Sequence, residues 1–336
     1  MDEAKYGTRD RRGHWTPFDR LDYGPLFSWP TKPLAILKWM FGYPGYILPW
    51  NLLIALIAIA VWFLATPSLE TMKTFEVGWV AFILARNLAM TFVFYGSIHF
   101  LLYIRRSQGT TFKYNPKWLD NDNPTFLFKS QTLDNMFWTL ASGVPIWTAY
   151  EVLTMWVFAN GYIPFLTFAA NPVWFVVLML IIPLFREFHF YLVHRLIHWP
   201  PLYRTVHHLH HRNVNAGPWS SISMHPVEHL LYFSGVLIHW IVLSHPIHAM
   251  FHLFHAGLAA VIGHFGFEKI VVGEDDAVDT HAFAHYLHHK YFEVNYADGS
   301  IPLDRWFGTF HDGSKEAEDA MNKRFMERAA RARKAG

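Results

Sequence analysis

The sequence predicts an all-α integral membrane protein: a four-span helical platform, plus a short helical hairpin, under a cytosolic histidine-rich helical cap. Three observations predict it. The 336 residues are 52% hydrophobic and only 16% charged, against roughly 25% charged in an average soluble domain. Apolar segments of spanning length recur through the first half of the chain. The cleanest is the twenty-residue stretch 47–66, enough to cross a hydrocarbon core of about 30 Å. Most of the 22 histidines fall between His189 and His289, spaced at helical intervals among Leu, Tyr, Phe and Trp. The mean hydropathy of +0.13 suits a membrane protein with a substantial aqueous part.

Residues 1–45 begin polar and charged, so they read as a cytosolic amino-terminal arm with no cleavable signal peptide. A transmembrane platform follows over 46–185. Its spans are 47–66; 77–104, whose Arg86, Asn87 and His99 must face protein; 137–158, with Glu151 inside it; and 172–185, continuing toward His198 with a kink near Pro183. The cap covers 186–313. Within it, 227–243 and 247–265 are apolar but studded with histidine, with His245-Pro246 between them, which predicts a membrane-dipping hairpin over 227–265. The tail, 314–336, alternates acid and base without an apolar stripe and reads as a solvated helix.

Lysine and arginine set the orientation. Residues 1–46 carry seven and 105–136 carry five, whereas 66–76 carries only Lys73 and 159–171 none. The positive-inside rule then puts both termini and every histidine cluster on the cytoplasmic face. A bacterial inner membrane is the expected location.

Composition also excludes. There is no cysteine, hence no disulfide, iron–sulfur cluster, thiolate-ligated haem or cysteine nucleophile in this chain. The net charge of +2 argues neither for nor against nucleic acid, but no basic cluster of the density it would need appears.

The chemistry lies in a recurring spacing. His194-Arg195-Leu196-Ile197-His198 is H-x-x-x-H; 207–211 and 285–289 both contain H-x-x-H-H. On a helix, residues three and four apart share a face, so each box aims two or three imidazoles one way. An isolated histidine such as His99 or His239 reads as a hydrogen-bonded core residue, and His14 and His311 read as surface residues. The boxes do not, because clustered imidazoles repel one another when protonated and are tolerable only neutral and ligated. Imidazole suits zinc, copper, iron and nickel, and about ten nitrogens exceed the needs of one ion. Two adjacent ions with open positions, doing redox work on O2 at the membrane face, fit best.

The series 190–198, the 207–211 box, Met224-His225-Pro226-Val227-Glu228, His264-Phe265-Gly266, the 285–289 box, Asn295-Tyr296 and Asp304-Arg305-Trp306-Phe307-Gly308-Thr309 resembles the fatty acid hydroxylase/sterol desaturase superfamily of membrane di-iron oxygenases. The resemblance covers roughly 130–310 and implies two iron ions (Fe2+/Fe3+), O2 activation and attack on a lipid C–H bond, hydroxylating or desaturating it. Zinc can replace iron on overexpression. Carried over position by position, the metal ligands are His194 and His198; His207, His210 and His211; His285, His288 and His289; with His225, His229 and His264 as additional ligands. His189 offers a second first-box pairing with His194. Five residues apart on a helix diverge by about 140°, so geometry favours His194 with His198. His208 and His281 are weaker ligand candidates, and Glu187, seven residues before His194, could orient an imidazole. Arg195 and Asp304 read as ion-pair partners holding the cap. Ala297 stands where the resemblance leads one to expect glycine.

His245, His248, His252 and His255 form one helical stripe outside the resemblance, read either as packed core imidazoles or as a substrate-headgroup lining. The implied partners are a lipid from the bilayer and a separate electron donor of ferredoxin, rubredoxin or cytochrome b5 type with an NAD(P)H reductase. Among lipids, an acyl chain, a sterol-like ring or an aminolipid fits; analogy leans toward an ornithine-type aminolipid. The rival readings are a zinc-dependent membrane hydrolase, with Glu228 as its base, and a divalent-metal transporter.

Overall fold

The computed structural model describes residues 1–335 and is mostly helical. Helices α1 (Pro33–Phe41), α2 (Trp50–Leu64) and α3 (Val77–His99, prolonged by a π turn Phe100–Ile104) open the chain. Next, α4 (Gln131–Trp138) runs through a π turn, Thr139–Gly143, into α5 (Val144–Ala159), and α6 (Pro172–Ile197) follows. The short α7 (Pro200–Leu202) leads through a third π turn, Tyr203–His207, into α8 (His208–His211). Then come α9 (Pro226–Phe233), α10 (Pro246–Gly257), α11 (Phe283–Tyr291), α12 (Leu303–Trp306) and α13 (Lys315–Ala335). Two small antiparallel hairpins, β1 (Gly7–Arg9) with β2 (Trp15–Pro17) and β3 (Lys269–Val271) with β4 (Ala277–Asp279), are the strands among the described residues.

Three helical stretches are long and apolar enough to cross a membrane: Val77–Ile104, Pro172–Ile197 and Pro246–His264. The expected four-span platform differs from this in both directions. Pro49 delays α2 until Trp50, leaving fifteen residues, about 22 Å of helix. The third expected span, 137–158, is helical throughout, from α4 across the π turn into α5, but Glu151 and its Thr and Ser residues leave it too little apolar to count among the three. The gain is α10 with its 3-10 extension, Ala259–His264, which was expected only to dip into the bilayer. It is the innermost element, every residue from Pro246 to Gly257 being buried, packed by α2, α5 and α6.

Small residues let α10 sit there. A Cβ on Gly257 would come within 2.8 Å of the Trp147 ring, and the last carbonyls of the helix receive hydroxyls, Tyr232 Oη on Ala256 at 2.8 Å and Tyr95 Oη on Gly257. These satisfy groups that a dry core would otherwise leave orphaned. Arg86 and Glu151 pair inside the bundle, where Asn87 Nδ2 also donates to Glu151 at 2.9 Å, so the charges in two expected spans neutralise each other.

α6 begins under an Asn171 cap, whose side chain accepts from Trp174 N–H at 2.9 Å, and Pro172 occupies its first turn. Its 26 residues extend about 39 Å, longer than a hydrocarbon layer of about 30 Å, which leaves about two turns over. The last turn of the helix carries His194. The amino-terminal arm lies along the cap: Trp15 packs with Phe112, Tyr114 and Phe283, and Arg305 pairs with Asp22 at 2.8 Å. The tail helix α13 docks too, burying Met321 and pairing Glu318 with Lys290 at 2.7 Å.

Candidate metal centre

Two sets of histidines converge within the cap. The first joins His194, His198, His207, His211 and His288; the second joins His210, His264, His285 and His289. In each set one ligand atom per residue lies within 4.8 Å of every other. The first set draws on α6, the π turn before α8, α8 itself and α11; the second on α8, the turn after α10, and α11.

Backbone carbonyls and one carboxyl group aim the rings. Nδ1 of His194 donates to Tyr296 O at 2.8 Å, that of His288 to Val294 O at 2.7 Å, and that of His264 to Ala260 O at 3.0 Å. His207 Nδ1 meets Glu228 Oε1 at 2.8 Å, and both side chains are buried. With the proton held on Nδ1, each of these rings turns a bare Nε2 lone pair inward. His207 Nε2 is buried with no partner at all.

The remaining spacings test whether an ion fits. His211 Nε2 lies 3.1 Å from Nε2 of both His198 and His288. In the second set, His264 Nε2 is 3.4 Å from His210 Nε2 and 3.0 Å from His285 Nε2, and His289 Nε2 is 3.1 Å from His285 Nε2. Imidazole nitrogens about 2.1 Å from a shared ion stand about 3.0 Å apart at a right angle and about 3.4 Å apart at the tetrahedral angle. Lone pairs crowded to those separations repel unless a cation lies between them. The residues therefore fit a pair of metal ions.

The protein keeps these rings neutral. Burial pushes His207, His210, His211, His285, His288 and His289 well below the ordinary imidazole value of 6.5, and neighbouring imidazoles push them further. Burial raises Glu228 well above the ordinary carboxyl range. Each ring thus offers a lone pair rather than a proton, the state a metal requires.

The other predicted site residues lie elsewhere. His225 caps α9, its Nδ1 accepting from Val227 N–H at 3.2 Å; His229 has both ring nitrogens engaged, by Ser142 Oγ at 3.0 Å and Ile222 O at 2.9 Å. Both stand outside the two sets. His189 meets Ser234 Oγ at 3.1 Å, and His208 and His281 are exposed. Glu187 faces no imidazole. Its carboxylate accepts from the backbone N–H groups of Gly299, Ser300 and Ile301, at 2.9 to 3.1 Å, and so clamps the loop after Tyr296.

The His245–His255 stripe is occupied by packing. His245 and His248 form a reciprocal cap at the start of α10, His248 Nε2 reaches Phe175 O at 2.9 Å, and His255 Nε2 meets Asn51 at 2.7 Å. His252 meets the buried His239 at 3.3 Å. Two smaller expectations are corrected. Asp304 accepts from Tyr296 N–H, Ala297 N–H and the Thr309 hydroxyl, while Arg195 lies 4.7 Å over the Tyr296 ring, so neither forms the expected ion pair. His311 is buried, stacked on Tyr291, because the Asn295 side chain bridges its backbone. The left-handed position of that loop is Asn295 (φ 51°) rather than residue 297, so alanine there is unstrained.

A cleft of about 650 Å³ opens beside the first set, lined by His198, Tyr203, Arg204, Tyr296, Thr309 and Arg324. His198 is only half-buried, so here the ligand shell meets the exterior.

Residues 176–309 match the fatty acid hydroxylase family. That stretch contains all nine converging histidines and the carboxyl group that orients one of them. That stretch is similar to a fatty acid hydroxylase domain. The family comprises O2-dependent lipid hydroxylases and desaturases. Curated relatives of this chain include Delta(7)-sterol 5(6)-desaturases. That of Eremothecium gossypii is 30% identical over 144 residues, 42% of this chain and 39% of the relative. That of Candida albicans is 30% identical over 142 residues, 41% and 35%; that of Saccharomyces cerevisiae is 32% identical over 129, 38% and 34%. The chain thus spans well under half the length of these relatives. No solved structure matches this chain.

Proposed function

We propose that this chain is a membrane-bound di-iron oxygenase that uses O2 and electrons from a separate donor to hydroxylate or desaturate a C–H bond of a lipid. The observation that carries the reading is the convergence of nine imidazoles, seven of them buried and two half-buried, into two adjoining sets whose spacings suit two ions. His194, His198, His207, His211 and His288 would hold one iron; His210, His264, His285 and His289 the other. Bound iron supplies O2 activation and the one-electron steps that no side chain of this protein can perform. The protein's own part is to fix the rings before an ion arrives. Tyr296 O, Val294 O, Ala260 O and Glu228 each hold a proton on Nδ1, so the inward lone pairs need no reorganisation. Phe190 stacks on the His194 ring at 4.8 Å and meets Tyr232 edge-on at 5.7 Å, so apolar rings cover that side of the first set.

The lipid substrate comes from the bilayer that the long helices cross, with both termini and the cap on the cytoplasmic side. The curated relatives are named as sterol desaturases, which makes a polycyclic lipid the first class to assay, before acyl chains and aminolipids. Electrons enter from a ferredoxin, rubredoxin or cytochrome b5-type protein. Its docking place is the cleft at His198, where Arg204 and Arg324 are exposed. A hydrolase would need Glu228 free as a base, but that carboxyl group is engaged by His207.

Mössbauer spectroscopy on anaerobic protein grown in iron-57 tests the reading. Because zinc outcompetes ferrous iron at imidazole sites, zinc-filled protein is first stripped and reconstituted with Fe(II). Two irons per chain, forming a coupled pair that reacts with O2, are expected. Reconstituted protein that holds a single ion, or two uncoupled ions inert to O2, would overturn the proposal.

A further inference from the structure

The segment before the first long helix is ill suited to an aqueous arm. α1 presents Leu34, Leu37, Lys38 and Phe41 outward, at i, i+3, i+4 and i+7. Leu34, Leu37 and Phe41 are 65, 54 and 62% exposed. Its other side, Ile36, Trp39 and Met40, is half-buried, with Trp39 against Tyr46 at 4.8 Å between rings. A surface helix in water keeps one polar face; this one has none.

Its neighbours extend the same surface. Trp29 is 91% exposed, and Phe27 and Tyr43 are exposed too. Far along the sequence, exposed Trp306 meets Phe27 edge-on at 5.8 Å, and the adjacent Phe307, also exposed, stacks on Tyr191 of α6. Two distant segments thus build one contiguous apolar patch, of a kind monomeric water-soluble proteins rarely expose.

α6 gives the depth. Tyr46 Oη donates to Leu180 O at 2.6 Å, and Leu180 precedes Ile197 by seventeen residues, about 25 Å down the helix axis. Phe307 touches α6 eleven residues higher, at Tyr191. The chain from Phe27 to Tyr46 therefore descends beside a spanning helix instead of standing clear of it. Its only charges between 27 and 43 are Lys32 and Lys38. Lysine stems can lie along apolar surface with the ammonium at the headgroups, where Trp and Tyr also settle.

We propose that residues 27–43 and the Trp306-Phe307 turn form one interfacial anchor, inserted into the lipid leaflet that borders the cap, which sets the depth of the metal centre relative to the bilayer. The occupant of the patch is lipid. The anchor places the boundary of the platform before residue 46, and it does not depend on which reaction the centre performs.

The absence of cysteine makes the test direct, since each single-cysteine variant carries one label. Nitroxides at Leu37→Cys, Phe41→Cys and Phe307→Cys are read in proteoliposomes by electron paramagnetic resonance, comparing collisions with O2, which concentrates in lipid, and with chromium(III) oxalate, which stays in water. Val176→Cys on the exposed face of α6 and Glu316→Cys on α13 serve as references for lipid and water. All five positions are exposed, so the labels need not disturb packing. The three anchor positions are expected to favour O2, like Val176→Cys, with the ratio inverted at Glu316→Cys. Leu37→Cys and Phe41→Cys reading like Glu316→Cys would overturn the anchor. Lipid contact there but water contact at Phe307→Cys would overturn the joint patch. Shielding from both reagents would identify a protein contact, overturning lipid as the occupant.

Discussion

Glu228 governs one ligand of one ion, and its replacement separates the two halves of the centre. The carboxyl group meets His207 Nδ1 at 2.8 Å, in a place where both side chains are buried and His207 Nε2 has no other partner. In Glu228→Gln the side chain keeps its shape, but its amide NH2 can face Nδ1. That orientation favours the tautomer protonated at Nε2, the atom that must bind metal. Loss of such an orienting partner weakens metal binding about 10- to 100-fold, or about 1.4 to 2.7 kcal/mol. Glu228→Ala strands a buried N–H as well and costs the fold a further 1 to 3 kcal/mol or about that. The assay is anaerobic titration of stripped protein with Fe(II) against a competing chelator, which resolves two binding steps. Only one step should weaken in Glu228→Gln, because His207 belongs to the first set alone. Two unchanged steps would refute the orienting role. Equal weakening of both would show that Glu228 acts through the fold at large.

Three further outcomes are expected. His264→Ala or His285→Ala should lower metal content from two ions toward one by elemental analysis, whereas His225→Ala should leave it at two; loss of metal in His225→Ala would mean that the sets are incomplete. Stripped protein should melt at a constant temperature above neutral pH and lose stability as pH falls through 6.5. The unfolded chain then binds protons that the six depressed cap histidines refuse, at about 1.4 kcal/mol per imidazole per pH unit; a flat thermal scan to pH 5 would contradict their depression. Glu151→Ala should cost about 3 to 5 kcal/mol in detergent unfolding, because Arg86 is left unpaired in the bundle, while Arg86→Leu with Glu151→Leu should cost less. Equal losses would refute pairing as the cause.

Much of the site was legible because helical spacing is a statement about direction. His207 and His211, or His285 and His289, share a face by arithmetic, and the structure brings each pair into one set. The same arithmetic is silent on what lies opposite. His225 and His229 have the spacing of a ligand pair, yet His229 faces Ser142 and Ile222 O. The His245–His255 stripe has that spacing too and locks α10 to its neighbours. Orienting groups were illegible for another reason. Tyr296 O, Val294 O and Ala260 O are backbone atoms with no side-chain signature, and Glu228 reaches His207 across a change of element. In the fold, hydropathy found the apolar stretches but not their ends, as at α2, which Pro49 delays until Trp50. It also could not rank α10 above its neighbours, since central burial depends on small residues meeting rings such as Trp147.

The doubled histidines explain why the two sets must adjoin. His210 belongs to the second set and His211 to the first; His288 belongs to the first and His289 to the second. Neighbours on a helix diverge by about 100°, so a His-His pair cannot serve one ion and instead straddles two. α8 and α11 face each other with opposite shares: α8 with its preceding turn gives two ligands to the first set and one to the second, and α11 gives one and two. Moving either pair by one residue would swing a ring from one ion toward the other and leave a bare lone pair against its neighbours. The H-x-x-H-H spacing is therefore a constraint on the distance between the ions as much as on their ligands. Of the sequence features here, it is the one that a mononuclear centre would have no use for.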